Sequence, residues 1–165
     1  MVVRSLLRWV LPAGAALLLL ATAGYAQRPP TPTTGMARVW FYRDMAPYSS
    51  LATPFVRLNG VVAGVSQPGG ASYRDVPPGH YHISVDSYGV DFGQTKDVDL
   101  APGAEIYAKI VSNDNWIVGG GGGRSGGYHR DTFYVWLYPA EAARPVIAQS
   151  WFYGGGALTA QVPPQ

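Results

Sequence analysis

Residues 75–86 read DVPPGHYHISVD, and they contain the two signals that decide the fold. The first signal is a corner, because the prolines of Pro77-Pro78-Gly79 fix φ and the glycine accepts a positive φ. The second is a strand, because Tyr81, Ile83 and Val85 alternate with polar residues. Such alternation places one face of a strand in a core and the other in water. The stretch predicts a sharp turn into a half-buried β-strand.

Short apolar runs separated by turn residues recur on both sides of this stretch. Asn59-Gly60 lies between residues 55–58 (FVRL) and 61–65 (VVAGV). This dipeptide indicates a type I′ hairpin, whose two central residues need positive φ. Further strands are expected at residues 37–43, 72–76, 95–100, 105–111 and 132–138, and a helix at residues 140–149. The pattern predicts an all-β fold, an antiparallel β-sandwich of about seven to eight strands (transthyretin-like or Ig-like) with a short C-terminal helix.

The composition excludes several classes of protein. The chain has 165 residues with 12 Lys and Arg, 10 Asp and Glu, and no cysteine. Arg4 and Arg8 belong to a predicted leader, so the rest of the chain is electrically neutral, which argues against nucleic-acid binding. Without cysteine the chain has no disulfide, no Cys-ligated metal and no cysteine nucleophile. Residues 123–127 (GRSGG) match Gly-x-Ser-x-Gly by letter, but Ser125 lacks the strand-turn-helix context that such a nucleophile needs. No other catalytic constellation stands out, and we predict that the protein is not an enzyme.

The N-terminal residues 1–26 have the pattern of a secretory signal peptide. Two arginines precede an apolar run, and small residues precede the predicted cleavage site between Ala26 and Gln27. The run is short for a membrane span and is interrupted by Pro12, although an uncleaved anchor is the alternative. The mature protein is therefore expected to be periplasmic or secreted, with no transmembrane segment after removal of the signal.

The mature chain divides into three parts. Residues 27–35 (QRPPTPTTG) form a Pro/Thr-rich linker, residues 36–153 form the β-sandwich domain, and residues 154–165 (GGGALTAQVPPQ) form a flexible tail. Within the domain, residues 119–127 (GGGGGRSGG) are expected to form a mobile loop between two strands.

Three segments resemble a bacterial exported family, domain of unknown function 2846, which is related in pattern to the short PEGA-type β-sandwich modules. They are residues 37–43 (ARVWFYR), 56–60 (VRLNG) and 75–85 (DVPPGHYHISV). The resemblance implies a transthyretin-like sandwich, a location in the cell envelope and no established activity. Many members of that family resemble lipoproteins with a cysteine after the leader. This chain has no such cysteine, so the resemblance does not carry a lipid anchor over to it.

Three histidines are the candidates for a metal site. His80 and His82 lie two residues apart on one strand and share a face, and His129 could add a third imidazole. The simpler interpretation is that they are polar residues on a solvent-facing strand, like Asp97 and Asp99 on the strand that follows. No cofactor is predicted.

Aromatic side chains are concentrated on one face of the first and last predicted strands. If the aliphatic faces point into the core, five aromatic residues line the outside of a sheet: Trp40, Tyr42, Tyr134, Trp136 and Tyr138. Left exposed, they would form a binding surface for sugar rings, peptide or another protein. The favoured alternative is that the apolar C-terminal segment covers them: Val146, Ile147, Trp151, Phe152 and Tyr153.

These observations predict a non-enzymatic binding or accessory module of the cell envelope. Its partner would be an envelope protein or a cell-wall component, and not a nucleic acid. Two alternatives stay open. One is a purely structural domain whose aromatic residues belong to the core, and the other is a metal-binding protein that uses the histidines.

Overall fold

The computed structural model describes residues 30–46, 49–86, 95–117 and 128–158, and the predicted leader and the glycine-rich loop lie outside these ranges. Within them the chain forms nine strands and one helix. In chain order these are β1 (Ala37–Tyr42), β2 (Phe55–Leu58), β3 (Val61–Val65), β4 (Gly70–Val76), β5 (Gly79–Val85), β6 (Lys96–Leu100), β7 (Glu105–Ile117), β8 (Tyr128–Tyr138), α1 (Ala140–Gln149) and β9 (Trp151–Phe152).

Two sheets pack face to face. The first has five strands in the order β8-β7-β1-β4-β9, and the second has four in the order β3-β2-β5-β6. The predicted all-β sandwich with a short C-terminal helix is confirmed. Not every pair is antiparallel, because β1 runs parallel to β7 and β9 runs parallel to β4. Neither of these pairs is consecutive in the chain, so no hairpin imposes opposite directions on them.

The two predicted turns are confirmed. Asn59 and Gly60 both have positive φ, 49° and 81°, as a type I′ hairpin between β2 and β3 requires. The Pro77-Pro78-Gly79 corner takes the chain from β4 in the first sheet to β5 in the second. The Tyr81 hydroxyl donates to the Pro77 carbonyl at 2.8 Å, which ties the new strand back to the corner.

The main core lies between the sheets and follows the alternation of the strands. Val39 and Phe41 of β1, Ile83 of β5, and Phe133 and Val135 of β8 are all buried in one apolar cluster. The inward direction of these faces is therefore confirmed. Leu137, the next residue on the same face of β8, is exposed instead.

A buried ion pair ties β1 to β4 on the outer face of the five-stranded sheet. Arg38 and Asp75 are direct cross-strand partners. Their contact is bidentate, with Nε to Oδ1 at 2.7 Å and Nη2 to Oδ2 at 2.9 Å. The guanidinium also lies 3.8 Å from the centroid of the Tyr73 ring. Because both partners are desolvated, the pair holds the two strands only as long as both charges are present.

The last strand pair is longer than expected. The sequence predicted strands ending at residue 111 and starting at residue 132, but β7 continues to Ile117 and β8 begins at Tyr128. The two strands pair with each other in register throughout this extension. Pairing with a neighbour therefore overrides the weak strand preference of residues 112–115 (SNDN).

Residues 154–158, the first part of the predicted tail, pair with the five-stranded sheet. The backbone of residues 154–158 continues the path of β9 along β4: Asp75 N donates to the Gly156 carbonyl at 2.9 Å, and Leu158 N donates to the Asp75 carbonyl at 3.0 Å. At Gly155 a Cβ atom would lie only 2.0 Å from the Tyr73 ring. Glycine at this position therefore lets the backbone lie against that ring.

Candidate functional site

Helix α1 covers the middle of the outer face of the five-stranded sheet. Trp40 and Tyr42 are only 4% and 2% exposed, and they pack under Ala143. Val146 and Ile147 of the helix pack against the same cluster. Burial raises the pKa of Tyr42 to about 12. Trp40 and Tyr42 are thus removed from the candidate binding surface, and for them the predicted cover by the C-terminal segment is confirmed.

A polar network fastens this helix to the sheet. The indole of Trp40 donates to Glu105 Oε1 at 2.7 Å, and the Tyr107 hydroxyl donates to Oε2 at 2.6 Å. From the helix, Arg144 donates to the Tyr107 hydroxyl at 2.7 Å and to Glu105 Oε2 at 2.9 Å. Burial alone would raise the pKa of Glu105, but these hydrogen bonds outweigh it and hold the pKa below its usual range. The carboxylate is therefore the centre of the attachment.

The cover does not extend to β8, the edge strand of the sheet. Trp136 is 53% exposed and Tyr138 is 38% exposed, while Tyr134 on the same face is partly buried. We refer to Tyr134, Trp136 and Tyr138 as the β8 aromatic strip. The sequence analysis placed these residues on one surface with Trp40 and Tyr42. In the structure the helix covers Trp40 and Tyr42 but does not reach the β8 aromatic strip.

Two lysines flank the β8 aromatic strip. Lys109 of β7 pairs directly with Trp136, and its Nζ lies 5.2 Å from the centroid of Tyr138. The same ammonium group forms an ion pair with Asp44. From the other sheet, Lys96 Nζ lies 5.3 Å from the centroid of Trp136. The strip therefore offers apolar ring faces beside charged hydrogen-bond donors, a combination suited to a ligand with both apolar and polar groups.

The predicted histidine pair faces solvent and is paired with acids. β5 and β6 are antiparallel neighbours, and their register places Asp99 opposite His80 and Asp97 opposite His82. The His80 Nδ1 to Asp99 Oδ1 distance is 2.9 Å, and the His82 Nδ1 to Asp97 Oδ1 distance is 2.7 Å. Sequence reasoning found both pairs of residues but not their register. The only sequence signal for this pairing was that polar and apolar residues alternate in both strands.

The third predicted histidine lies in the other sheet from His80 and His82. His129 lies in β8 of the five-stranded sheet, and its side chain is outside the described side chains. Among the described residues, no group of three or more histidines or acids is arranged to hold a metal ion.

A second exposed aromatic group lies at the opposite edge of the same sheet. Trp151 is 72% exposed, and Tyr153 is also exposed. Phe152 stacks on Tyr73 with ring centroids 5.9 Å apart. The sequence predicted these three residues as cover for the sheet face. Phe152 does contact that face, because it also meets Trp40 edge-on at 6.5 Å, whereas Trp151 and Tyr153 stay exposed beside β4.

The fold and its surface define an all-β sandwich with a helix-covered sheet and an exposed aromatic edge. No helix among the described residues combines the length and apolar character that a bilayer crossing demands. No family model matches the chain, and no curated protein or solved structure matches it significantly. The resemblance to the exported family therefore stays a prediction.

Proposed function

We propose that this protein is an exported, non-enzymatic binding module of the cell envelope and that it contacts its partner through the β8 aromatic strip. One observation carries the proposal. Helix α1 buries Trp40 and Tyr42 on the same sheet face but leaves Trp136 and Tyr138 exposed. The chain thus has a means of covering this face, and β8 is left outside it.

The chemistry of the strip supports binding over a purely structural role. Large aromatic rings left in water at a sheet edge contribute little to folding, while tryptophan and tyrosine are enriched among residues that dominate binding energy. The rings are held in place by paired backbone on β7 and by the lysine contacts described above. A pre-ordered surface of this kind loses little side-chain entropy when a partner binds.

The location is inferred from the sequence alone. The signal-peptide pattern with its predicted cleavage between Ala26 and Gln27 favours export, and residues 27–35 would separate the domain from whatever precedes it. The resemblance to the exported family points in the same direction. The partner is accordingly expected among envelope proteins or cell-wall components.

A crosslinking experiment in intact cells tests the proposal. We compare the wild-type protein with Trp136→Ala and with Trp151→Ala, which removes an equally large exposed ring from the opposite sheet edge. Captured envelope protein and cell-wall material are quantified by mass spectrometry. Loss of a central aromatic contact should lower capture by about tenfold or more for Trp136→Ala, with Trp151→Ala unchanged.

Thermal unfolding and near-UV circular dichroism establish that both variants are folded. Equal capture by all three folded proteins would overturn the proposal. Loss of capture in Trp151→Ala alone would also overturn it, because the binding surface would then lie at the β9 edge.

A further inference from the structure

Four strands lie at the edges of the two sheets, and three of these edges are protected against further pairing. β8 and β9 are the edges of the first sheet, and β3 and β6 are those of the second. β3 and β6 have only five residues each, and three of the five in β6 are charged. The pairing of β3 with β2 also has a register shift between Val56 and Arg57. After β9, Gly154 and Gly156 have positive φ and depart from strand conformation. Short strands, irregular pairing and charges are the usual means by which sheet edges avoid pairing with other chains.

The edge formed by β8 has none of these protections. The strand has 11 residues and pairs with β7 without a register shift. Its last seven residues, 132–138 (TFYVWLY), contain no charge and no proline. On the side away from β7, no described strand pairs with residues 134–138. A regular, uncharged edge of this kind presents a row of backbone N–H and C=O groups on which one more strand can form.

Both faces of β8 are exposed near its end. Trp136 and Tyr138 are exposed on the outer face, and Leu137 on the inner face is 41% exposed. A ligand that lies flat on the outer face would cover the rings but leave Leu137 in water. An added strand can contact all three residues, because its side chains alternate between the faces and repeat every second residue at the same spacing, about 6.8 Å. The exposure pattern therefore favours an extended peptide over a sugar chain.

The charge beside this edge indicates which peptide fits. Lys96 Nζ lies 5.3 Å from the centroid of Trp136, and it has no ion pair with an acid among the described residues. Lys109, in contrast, is already paired with Asp44. A lysine at a sheet edge discourages pairing with purely apolar strands, so it selects for a strand that brings an aspartate or glutamate. A second copy of β8 would not bring one, because residues 132–138 contain no acid.

We infer that β8 binds an extended, acidic peptide segment of a partner protein, which adds to residues 134–138 as a further strand of the five-stranded sheet. Its backbone pairs with the edge of β8, its alternate side chains contact Trp136 and Leu137 on opposite faces, and its carboxylate pairs with Lys96. In such additions the main-chain hydrogen bonds give affinity, and the alternate side chains give specificity. The inference rests on the proposed function and names the class of partner.

Nuclear magnetic resonance on the ¹⁵N-labelled chain tests strand addition with three synthetic peptides. The first is the acetylated and amidated heptapeptide Thr-Val-Glu-Val-Tyr-Thr-Glu. The second has glutamine in place of both glutamates, and the third has proline in place of the central valine, which removes a backbone donor and interrupts a strand. The tetramer of N-acetylglucosamine is the counter-probe.

The acidic peptide should shift the backbone amides of residues 134–138 and slow hydrogen exchange at alternate ones. Its dissociation constant should be on the order of 0.3 mM. The glutamine peptide should bind about threefold more weakly, because it lacks the charge that pairs with Lys96. The proline peptide and the sugar should not shift these amides.

Two variants and one matched control assign the contacts. Lys96→Glu should weaken binding of the acidic peptide by about tenfold and change that of the glutamine peptide by less than about twofold, because it reverses the charge beside Trp136. Leu137→Ala should weaken both by about fivefold, since an added strand contacts the inner face as well. Leu51→Ala, which removes a leucine that is 80% exposed outside β8, should leave binding unchanged. Thermal unfolding establishes that the three variants are folded.

Several outcomes would overturn the inference. One is that no peptide shifts the β8 amides, and another is that the proline peptide binds as well as the acidic one, because strand pairing would then play no part. A dimer that protects the same amides without peptide would make the occupant a second copy, and a shift by the sugar alone would make it a carbohydrate. An affinity for the acidic peptide that Lys96→Glu leaves unchanged would contradict the acidic character of the partner.

These outcomes are distinct from a failure of the proposed function. In each of them, capture in cells that still depends on Trp136 would leave the binding module intact with a different partner. Peptide binding that is weakened in Lys96→Glu and Leu137→Ala supports strand addition even if crosslinking finds no role for Trp136.

Discussion

Two arginine–aspartate pairs in this protein have the same geometry but different surroundings. Arg38–Asp75 and Arg57–Asp86 each join Nε to Oδ1 at 2.7 Å, and each has a second contact from Nη2 to Oδ2. The side chains of the first pair are 2% and 7% exposed, whereas those of the second are 33% and 40% exposed. Water can replace a lost partner only in the second pair. The effect of each residue on stability therefore depends on burial and not on hydrogen-bond geometry.

Replacement of one acid in each pair tests this difference. We expect Asp75→Asn to lower the free energy of unfolding by about 3–5 kcal/mol, because it leaves the Arg38 charge buried without its counter-charge. Asp86→Asn, the matched control, should have a much smaller effect, since Arg57 stays hydrated. Urea unfolding of both variants measures the two values. Similar decreases in the free energy of unfolding for the two variants would show that burial of Arg38 does not set the size of the effect.

Helix α1 is the element that decides which part of the sheet face is exposed and available for binding. It is attached through Glu105, which accepts hydrogen bonds from Trp40, Tyr107 and Arg144. Its apolar side chains then cover the central aromatic cluster. The same attachment makes the cover sensitive to acid, because a carboxyl group with a lowered pKa stabilises the folded state only while it is ionised.

Hydrogen exchange across a pH series should reveal this sensitivity. Glu105 contributes its full stabilisation above its ordinary pKa, which is 4.5, and loses it as the pH falls through the lowered value in the folded protein. Protection of the α1 amides should therefore fall in the wild type on acidification below about pH 4.

Glu105→Gln should already show reduced protection of these amides at neutral pH and less further change on acidification. Glu141→Gln, an exposed acid in the first turn of α1, is the control. A pH response unchanged by Glu105→Gln would contradict the attachment.

At the scale of the whole molecule, the five-stranded sheet packs a smaller aromatic cluster under α1, and the main core is shared by the two sheets. Strands from both sheets contribute to the same apolar cluster, and the chain has no cysteine to supplement it. The exposed histidines interact with aspartates across the strands. Because the main core needs both sheets, the sandwich should unfold as one unit.

Calorimetry with and without excess EDTA tests this description. We expect a single thermal transition whose midpoint does not change with chelation, because an apolar core lies between the two sheets. His80→Asn with His82→Asn should leave the midpoint nearly unchanged, since both side chains are exposed. A midpoint that falls on chelation and recovers with added zinc would establish the metal-binding alternative.

The sequence could predict what depends on neighbours along the chain. The Asn59-Gly60 hairpin, the Pro77–Gly79 corner and the inward faces of β1 and β5 follow from local conformational preferences and from alternation. The helix at residues 140–149 was also predicted. The register between β5 and β6 was harder to predict from the sequence. Alternation shows which residues share a face but not which residues lie opposite each other.

By itself, then, the sequence determined that this chain is an all-β sandwich with a short helix, since turn residues and period-two alternation act over a few residues. Tertiary structure alone decided that Trp40 and Tyr42 are covered while Trp136 and Tyr138 are exposed. The physical reason is that exposure depends on where α1 docks on the sheet. Contacts between residues distant in the chain set that position.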